Sequence, residues 1–259
     1  MQDELKVVLV QTSLVWENPE RNRADIATKI KQINTSVDVI LLPEMFTSGF
    51  TMSPENVAET MQGNTIKWML EVALRANAAI GGSLGIKDNE HYYNRFVFAK
   101  PDGTIETYDK RHTFTLAGED KVYTAGNERV IITYKGWKIC PLICYDLRFP
   151  VWARNTEDYD VICYVANWPK PRISAWDALL KARAIENMSY CIGVNRVGLD
   201  ANNYEYSGHS AAYDGLGESL TTIEDGKEHT KIVTLNKKHL ETIREKLMFL
   251  NDRDAFTLK

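Results

Sequence analysis

The stretch Trp137-Lys138-Ile139-Cys140-Pro141-Leu142-Ile143-Cys144-Tyr145-Asp146-Leu147-Arg148-Phe149-Pro150 runs apolar and then breaks abruptly into polar residues. Ile139 to Ile143 reads as a buried strand, and Leu147 to Pro150 starts a different element. The break falls at Cys144, a thiol at the carboxyl end of a strand, which is where α/β enzymes place nucleophiles. A free cysteine is more often a small core hydrophobe. The reading of Cys144 therefore depends on what the other strands bring to the same edge.

Working outward, strand and helix signals alternate. Lys6–Gln11 reads as a strand, and Asn18-Pro19 offers an N-cap with proline in the first helical position, opening a helix to about Asn34. Val37–Pro43 is β-rich and apolar, Asn64–Asn77 has helical spacing, and Ala79–Ile86 is a strand. Two hairpins follow, Tyr92–Lys100 with Thr104–Asp109 around Pro101-Asp102-Gly103, and Val130–Tyr134 with Trp137–Ile143 around Lys135-Gly136. A helix is expected at about Phe149–Asn155, a strand at Val161–Ala166, a helix at Ser174–Met188, and strands at Tyr190–Asn195 and His209–Tyr213. A last hairpin is expected to turn at about Asp225-Gly226, before a final helix that Asn236 caps. A doubly wound sheet has no hairpins. The mixture predicts an α/β fold of two mixed sheets packed face to face, with helices on both outer faces.

Composition narrows the function classes. The 259 residues carry 44% hydrophobic and 25% charged residues and a net charge of −4, without repeats or a Pro/Gly/Ser linker, which predicts one continuous domain over 1–259. Basic residues form no stripe, so nucleic acid is not an expected partner. No apolar run reaches the ~18–20 residues of a membrane span. The first residues pass directly into Val7-Val8-Leu9-Val10 without a signal-peptide pattern, and with four cysteines this predicts reduced thiols and a cytoplasmic protein. Cys140 and Cys144 lack zinc-ligand spacing, so no metal is expected.

Two further strands end in a chemically useful residue. Glu44 follows Asp38–Pro43, and Lys110 follows Thr104–Asp109. Either alone reads as a surface charge. Together with Cys144 they form an acyl-transfer set. A carboxylate can serve as base to the thiol, while an ammonium and the Tyr145 N–H can hold a developing oxyanion. A lysine beside the thiol is also expected to lower its pKa.

At these residues the chain resembles the nitrilase superfamily of carbon–nitrogen hydrolases. Leu42-Pro43-Glu44-Met45-Phe46 is similar to its glutamate motif, Tyr108-Asp109-Lys110-Arg111-His112 to its lysine motif, and Ile143 to Pro150 to its nucleophile motif. Arg183-Ala184-Ile185-Glu186-Asn187 and Gly208-His209-Ser210 agree, so the likeness runs from Val7 to about the final hairpin. The resemblance implies a four-layer α-β-β-α sandwich that forms a homodimer or higher homo-oligomer, with no cofactor. It implies Glu44 as base, Lys110 as oxyanion partner and Cys144 as nucleophile that forms a thioester. It also implies a second glutamate beside the lysine, for which Glu119 fits and Glu128 is the rival.

Within that family the chain looks most like the omega-amidase branch. The marks are Ala117-Gly118-Glu119, Asn167-Trp168-Pro169, and Arg172 shortly before Ala175-Trp176-Asp177. That branch cleaves the terminal amide of short dicarboxylic acid monoamides, notably 2-oxoglutaramate and 2-oxosuccinamate. Such a small-molecule substrate carries a distal carboxylate, which suits a guanidinium fork. Arg172 is the first candidate and Arg196 the second. Trp168 and Phe46 are candidate pocket walls, while Asp146 and Arg148 are expected to brace the nucleophile turn. Another amidase, a carbamoylase, a nitrilase or a non-catalytic binding protein on the same fold are the competing readings.

Overall fold

A computed structural model describes residues 2–257. Its first strand, β1 (Glu4–Gln11), shows how the layers arise. Successive side chains on a strand face opposite ways. Val7 and Leu9 enter a central core between two sheets, and Val8 and Val10 pack toward the helices outside. α1 (Pro19–Lys31) begins as the sequence predicts, with the Asn18 side chain accepting from the Arg21 N–H at 3.1 Å. β2 (Val39–Leu41), the short α2 (Pro54–Val57) and α3 (Asn64–Ala76) follow, then β3 (Ala79–Asp88), β4 (His91–Ala99) and β5 (Ile105–Asp109). Ile66, Met69 and Ala73 form the buried face of α3 and pack with Ile26 of α1 against Ile40, Ile80 and Val97.

The second half supplies β6 (Ile132–Tyr134), β7 (Trp137–Ile143), α4 (Pro150–Ala153), β8 (Val161–Ala166), α5 (Ile173–Asn187) and β9 (Tyr190–Asn195). It continues with β10 (Val197–Leu199), β11 (Glu205–Ser207), β12 (Ala211–Tyr213), β13 (His229–Asn236) and α6 (Lys237–Leu247). The first sheet has the order β13-β1-β2-β3-β4-β5 and the second β12-β9-β8-β7-β6, each mixing parallel and antiparallel pairs. Their facing sides meet in the central core, where Phe96 and Phe98 join Leu142 and Trp137. Burying side chains of this size contributes about 1.5–3 kcal/mol each. α5 lies close on β9 because Gly193 has no side chain: a Cβ there would stand 2.6 Å from the Trp176 ring. Helices thus cover both outer faces. Among the described residues no helix is long and apolar enough to cross a membrane.

Three details differ from the sequence reading. The turn at Asp225-Gly226 joins no hairpin: β12 pairs with β9 in the second sheet, while β13 crosses to pair antiparallel with β1, Glu4 opposite Asn236. The helix expected over Phe149–Asn155 shrinks to the single turn of α4, because Phe149 is extended ahead of Pro150 (φ −113°, ψ 87°) and Arg154 leaves the helical region (ψ 131°). The antiparallel pair β10–β11 has no counterpart in the sequence reading, since three-residue strands leave too little periodicity to detect.

The crossing to β13 is anchored by Glu228. Its carboxylate accepts from the Ser13 N–H (2.7 Å), the Ser13 and Thr12 hydroxyls (2.7 and 2.9 Å) and Lys29 (2.9 Å). Burial alone would raise this carboxyl, but the hydrogen bonds from Ser13, Lys29 and Thr12 outweigh it and hold it at about 2, against an ordinary 4.5. A depressed carboxyl stabilises the fold above its unfolded value and loses that contribution as pH falls through its folded value. Glu228→Gln should therefore lower the thermal midpoint at neutral pH. The two proteins should converge as pH drops from about 4.5 toward 2, which melting curves across that range measure.

Candidate active site

The directions of the strands bring the candidate residues together. β2 and β3 run parallel, and β5 returns antiparallel to β4, so β2 and β5 end at the same edge of the first sheet. Glu44 lies in the turn after β2 and Lys110 directly follows β5. β7 and β8 are parallel in the second sheet and deliver Cys144 and Asn167 from its facing edge.

At the junction, one ammonium sits between two carboxylates. Lys110 Nζ is 2.8 Å from Glu44 Oε1 and 2.9 Å from Glu119 Oε2, and all three side chains are buried. Asn94, from β4, donates to both carboxylates, at 2.8 Å to Glu44 and 3.1 Å to Glu119. Burial would push the Lys110 ammonium toward neutrality, but Glu119 and Glu44 more than offset it and hold its pKa above the usual lysine range. Burial raises the Glu119 carboxyl, with Lys110 opposing and the charge of Glu44 adding to the rise. Glu119 is brought to Lys110 by a short 3-10 turn, Glu119–Lys121, and also accepts the Phe114 N–H. Glu128, the rival, is exposed.

Cys144 is the first residue of a 3-10 helix, Cys144–Arg148, and has φ +44°, a left-handed backbone that costs a non-glycine residue ~1–3 kcal/mol. The strain turns the thiol out of the end of β7 in the manner of a nucleophile elbow. Asp146 holds that turn. Its carboxylate accepts from the Ile143 N–H (3.0 Å), the Tyr108 hydroxyl (2.8 Å) and the His112 N–H (3.0 Å), with His112 Nδ1 at 2.8 Å. The ring of His112 stacks on Phe149 with centroids 3.6 Å apart, so the histidine belongs to this brace. Tyr145 follows the thiol, and an N–H in the first turn of a helix has no intrahelical partner.

The thiol is not the depressed one expected beside a lysine. Burial and the negative charge of Glu44 push the Cys144 thiol well up, and Lys110 offsets them only in part. Cys144 is nevertheless half-buried, whereas Cys140, Cys163 and Cys191 are buried. A neutral thiol beside a carboxylate can react when the carboxylate removes its proton during attack.

Cys144 and Lys110 open into a cavity of about 370 Å³. Tyr145, Trp168 and Arg172 line it, as the sequence reading anticipates for a pocket. Phe46 does not. The chain reverses at Met45 (φ +43°), and Phe46 drops into the outer core 5.9 Å from the Trp68 ring, leaving the wall to Phe50. Arg196 is likewise absent from the wall. It is fully buried, donates to Leu14 O (3.2 Å) and Leu199 O (3.0 Å) and lies over the Tyr206 ring. Arg148, expected only to brace the turn, lines the cavity and stands over the Trp168 ring at 4.8 Å. Arg172 stands over Phe114 at 5.3 Å. Neither guanidinium has an acidic partner within 4 Å among the described residues, and both can take an anion. Asp200, Tyr204 and Tyr206, from β10–β11 and their connection, close the remaining side and carry no signal in the sequence reading.

These features define a carbon–nitrogen hydrolase, and the chain belongs to that family: its model matches residues 6–245. The chain is 46% identical over 256 residues to the omega-amidase YafV of Escherichia coli K12, covering 98% of each. It is 30% identical over 249 residues to the 2-oxoglutaramate amidase of Bacillus subtilis 168, covering 94% of this chain and 95% of the relative. A crystal structure of a CN-hydrolase superfamily protein from Xanthomonas campestris, with an arsenic adduct in its active site, superposes over all of both chains with a TM-score of 0.97 at 39% identity.

After burial, the charge of Glu44 is the largest cause that holds the thiol up, which gives a signed prediction. Glu44→Gln should shift the appearance of thiolate ultraviolet absorbance at Cys144 to lower pH, read as a difference against Cys144→Ala. An unchanged or higher midpoint would contradict the electrostatics described here.

Asp146→Ala orphans the Ile143 and His112 N–H groups and the Tyr108 hydroxyl together. It should destabilise the protein by about 3 kcal/mol or more, measured by denaturant unfolding.

Proposed function

We propose that the protein hydrolyses the terminal amide of short dicarboxylic acid monoamides, 2-oxoglutaramate and 2-oxosuccinamate, to the free acid and ammonia. Glu44 takes the thiol proton as Cys144 Sγ attacks the amide carbonyl carbon. The Lys110 ammonium and the Tyr145 N–H hold the oxyanion, and Glu119 keeps Lys110 charged and in place. The C–N bond breaks as the nitrogen takes the proton from Glu44. Ammonia leaves and a Cys144 thioester remains. Glu44 then draws a proton from water as the water oxygen attacks the thioester. The C–S bond breaks, the sulfur regains its proton and the acid departs.

The observation that carries this reading is the buried Glu44–Lys110–Glu119 set at the one half-buried thiol. The substrate class is supported by Arg172 and Arg148 on the cavity wall, which suit the distal carboxylate, with Trp168 lining the same cavity. It is also supported by relatives named omega-amidase and 2-oxoglutaramate amidase. The same reading gives a cytoplasmic homodimer or higher homo-oligomer, which four free thiols and the exposed apolar Val151 and Ile185 near the nucleophile turn suit.

Ammonia release from 2-oxoglutaramate and 2-oxosuccinamate should be catalytic in the wild-type protein and fall roughly a thousandfold or more in Cys144→Ala. Turnover of nitriles or N-carbamoyl amino acids in place of both amides would refute the assignment. Arg172→Met and Arg148→Met should raise KM for the dicarboxylic monoamide by about 10- to 100-fold while leaving a neutral amide of similar length little changed.

A further inference from the structure

Tyr145 gives its backbone N–H to the scheme above, and its side chain has no part in it. The ring is held from two sides. Phe114 meets it edge-on with centroids 4.9 Å apart, and Phe149 does so at 5.1 Å. Phe149 is itself stacked on His112, which Asp146 fixes. Phe114 carries the Arg172 guanidinium over its face at 5.3 Å. Cys144, Tyr145, Phe114 and Arg172 therefore form one continuous stretch of the cavity wall, from the thiol to the guanidinium.

A monoamide of a 2-oxo acid held between those two ends has a third polar group, the carbonyl oxygen next to its distal carboxylate. That oxygen needs a donor, and most donors on the wall are spent. The Trp168 indole N–H goes to Arg172 O at 2.8 Å, and the Tyr206 hydroxyl goes to Asp200 at 3.0 Å. Asn167 commits its backbone N–H to the Glu44 carboxylate at 2.8 Å and Nδ2 to the Glu44 backbone carbonyl at 2.6 Å. Asn202 and Tyr204 are exposed on the connection from β10 to β11, Tyr204 at 58%, where water competes for any hydrogen bond they make. The Tyr145 hydroxyl differs from all of these. It bonds to no described residue, the side chain is half-buried, and the oxygen is not among the atoms sealed inside the protein.

We infer that the Tyr145 hydroxyl donates to the 2-oxo oxygen of the substrate and selects monoamides of 2-oxo dicarboxylic acids over their counterparts with a methylene in that place. The inference rests on the monoamide reading above. A methylene there leaves the hydroxyl facing a filled cavity without an acceptor, and a donor shut off from water and unpaired is costly. The two aromatic neighbours fix where the hydroxyl stands, so the contact forms without ordering a loose side chain. Tyr145 thus serves the reaction twice, through its N–H at the reacting carbon and through its hydroxyl farther along the acyl chain.

The test sets kcat/KM for ammonia release from 2-oxoglutaramate against that from glutaramate, which differs only in lacking the oxo group, in the wild type, Tyr145→Phe and Tyr204→Phe. Tyr145→Phe removes one oxygen and keeps the ring between Phe114 and Phe149. Each ratio is taken within one preparation, so loss of folded protein cancels. The oxo-to-methylene ratio should fall about tenfold in Tyr145→Phe and keep its wild-type value in Tyr204→Phe. An unchanged ratio in Tyr145→Phe, or a fall in Tyr204→Phe instead, would overturn the inference. A wild-type protein that releases ammonia from neither amide would overturn the amidase reading itself, and this inference with it.

Discussion

A buried ammonium is driven toward neutrality unless anions surround it, and two buried carboxylates do not both stay ionised without a cation between them. Lys110, Glu44 and Glu119 resolve the two problems jointly, and Asn94 adds a donor to each carboxylate. The cluster carries one more carboxylate than ammonium, and that excess negative charge meets Cys144. It helps keep the thiol protonated despite the lysine. The nucleophile is thus not a stored thiolate. It is a thiol whose proton acceptor is already in place, which suits a reaction where the same proton must be handed on to the leaving nitrogen.

No single element can assemble this cluster. Glu44 and Lys110 need β2 and β5 to end at one edge, which the β3–β4–β5 meander arranges. Cys144 and Asn167 come from the other sheet. The central core sets the distance between the two edges, and Asp146 ties them at the site. Its carboxylate receives Ile143 N–H from the end of β7 and the Tyr108 hydroxyl from β5, two residues before Lys110. Tyr108 in turn accepts the Arg111 N–H at 3.1 Å and the Trp152 indole N–H at 3.1 Å. The strain in the Cys144 backbone persists because this network fixes the residues on both sides of it.

Much of this was legible in the sequence where one residue type meets one backbone signal. Glu44, Lys110 and Cys144 each close a β-rich run, and Asn18 and Asn236 each cap a helix as read. Glu119 was legible only through the resemblance, since nothing local to Ala117-Gly118-Glu119 says that its carboxylate is buried. Asn94 and Asn167 were beyond reach for a related reason: an asparagine in or after a strand carries no sign of which distant carboxylate it will meet. Phe46 misled because an aromatic beside a catalytic motif looks like a wall, and the turn at Met45 sends it to the outer core. Arg148 misled in the opposite sense, because the turn that carries it is held by Asp146 and leaves the guanidinium free to face the cavity. The passage of β13 to the first sheet is a long-range pairing that Val233 and Leu235 support and that no turn residue encodes.

The account turns on a covalent acyl group at Cys144. Wild-type protein mixed with 2-oxoglutaramate, quenched in acid during turnover and analysed by intact-mass and peptide mass spectrometry, tests this most directly. A mass increase equal to the acyl group, mapped to the peptide containing Cys144 and absent from Cys144→Ala, is the result the account predicts. Ammonia release with no acyl adduct under conditions that preserve thioesters, or an adduct on a different residue, would contradict it.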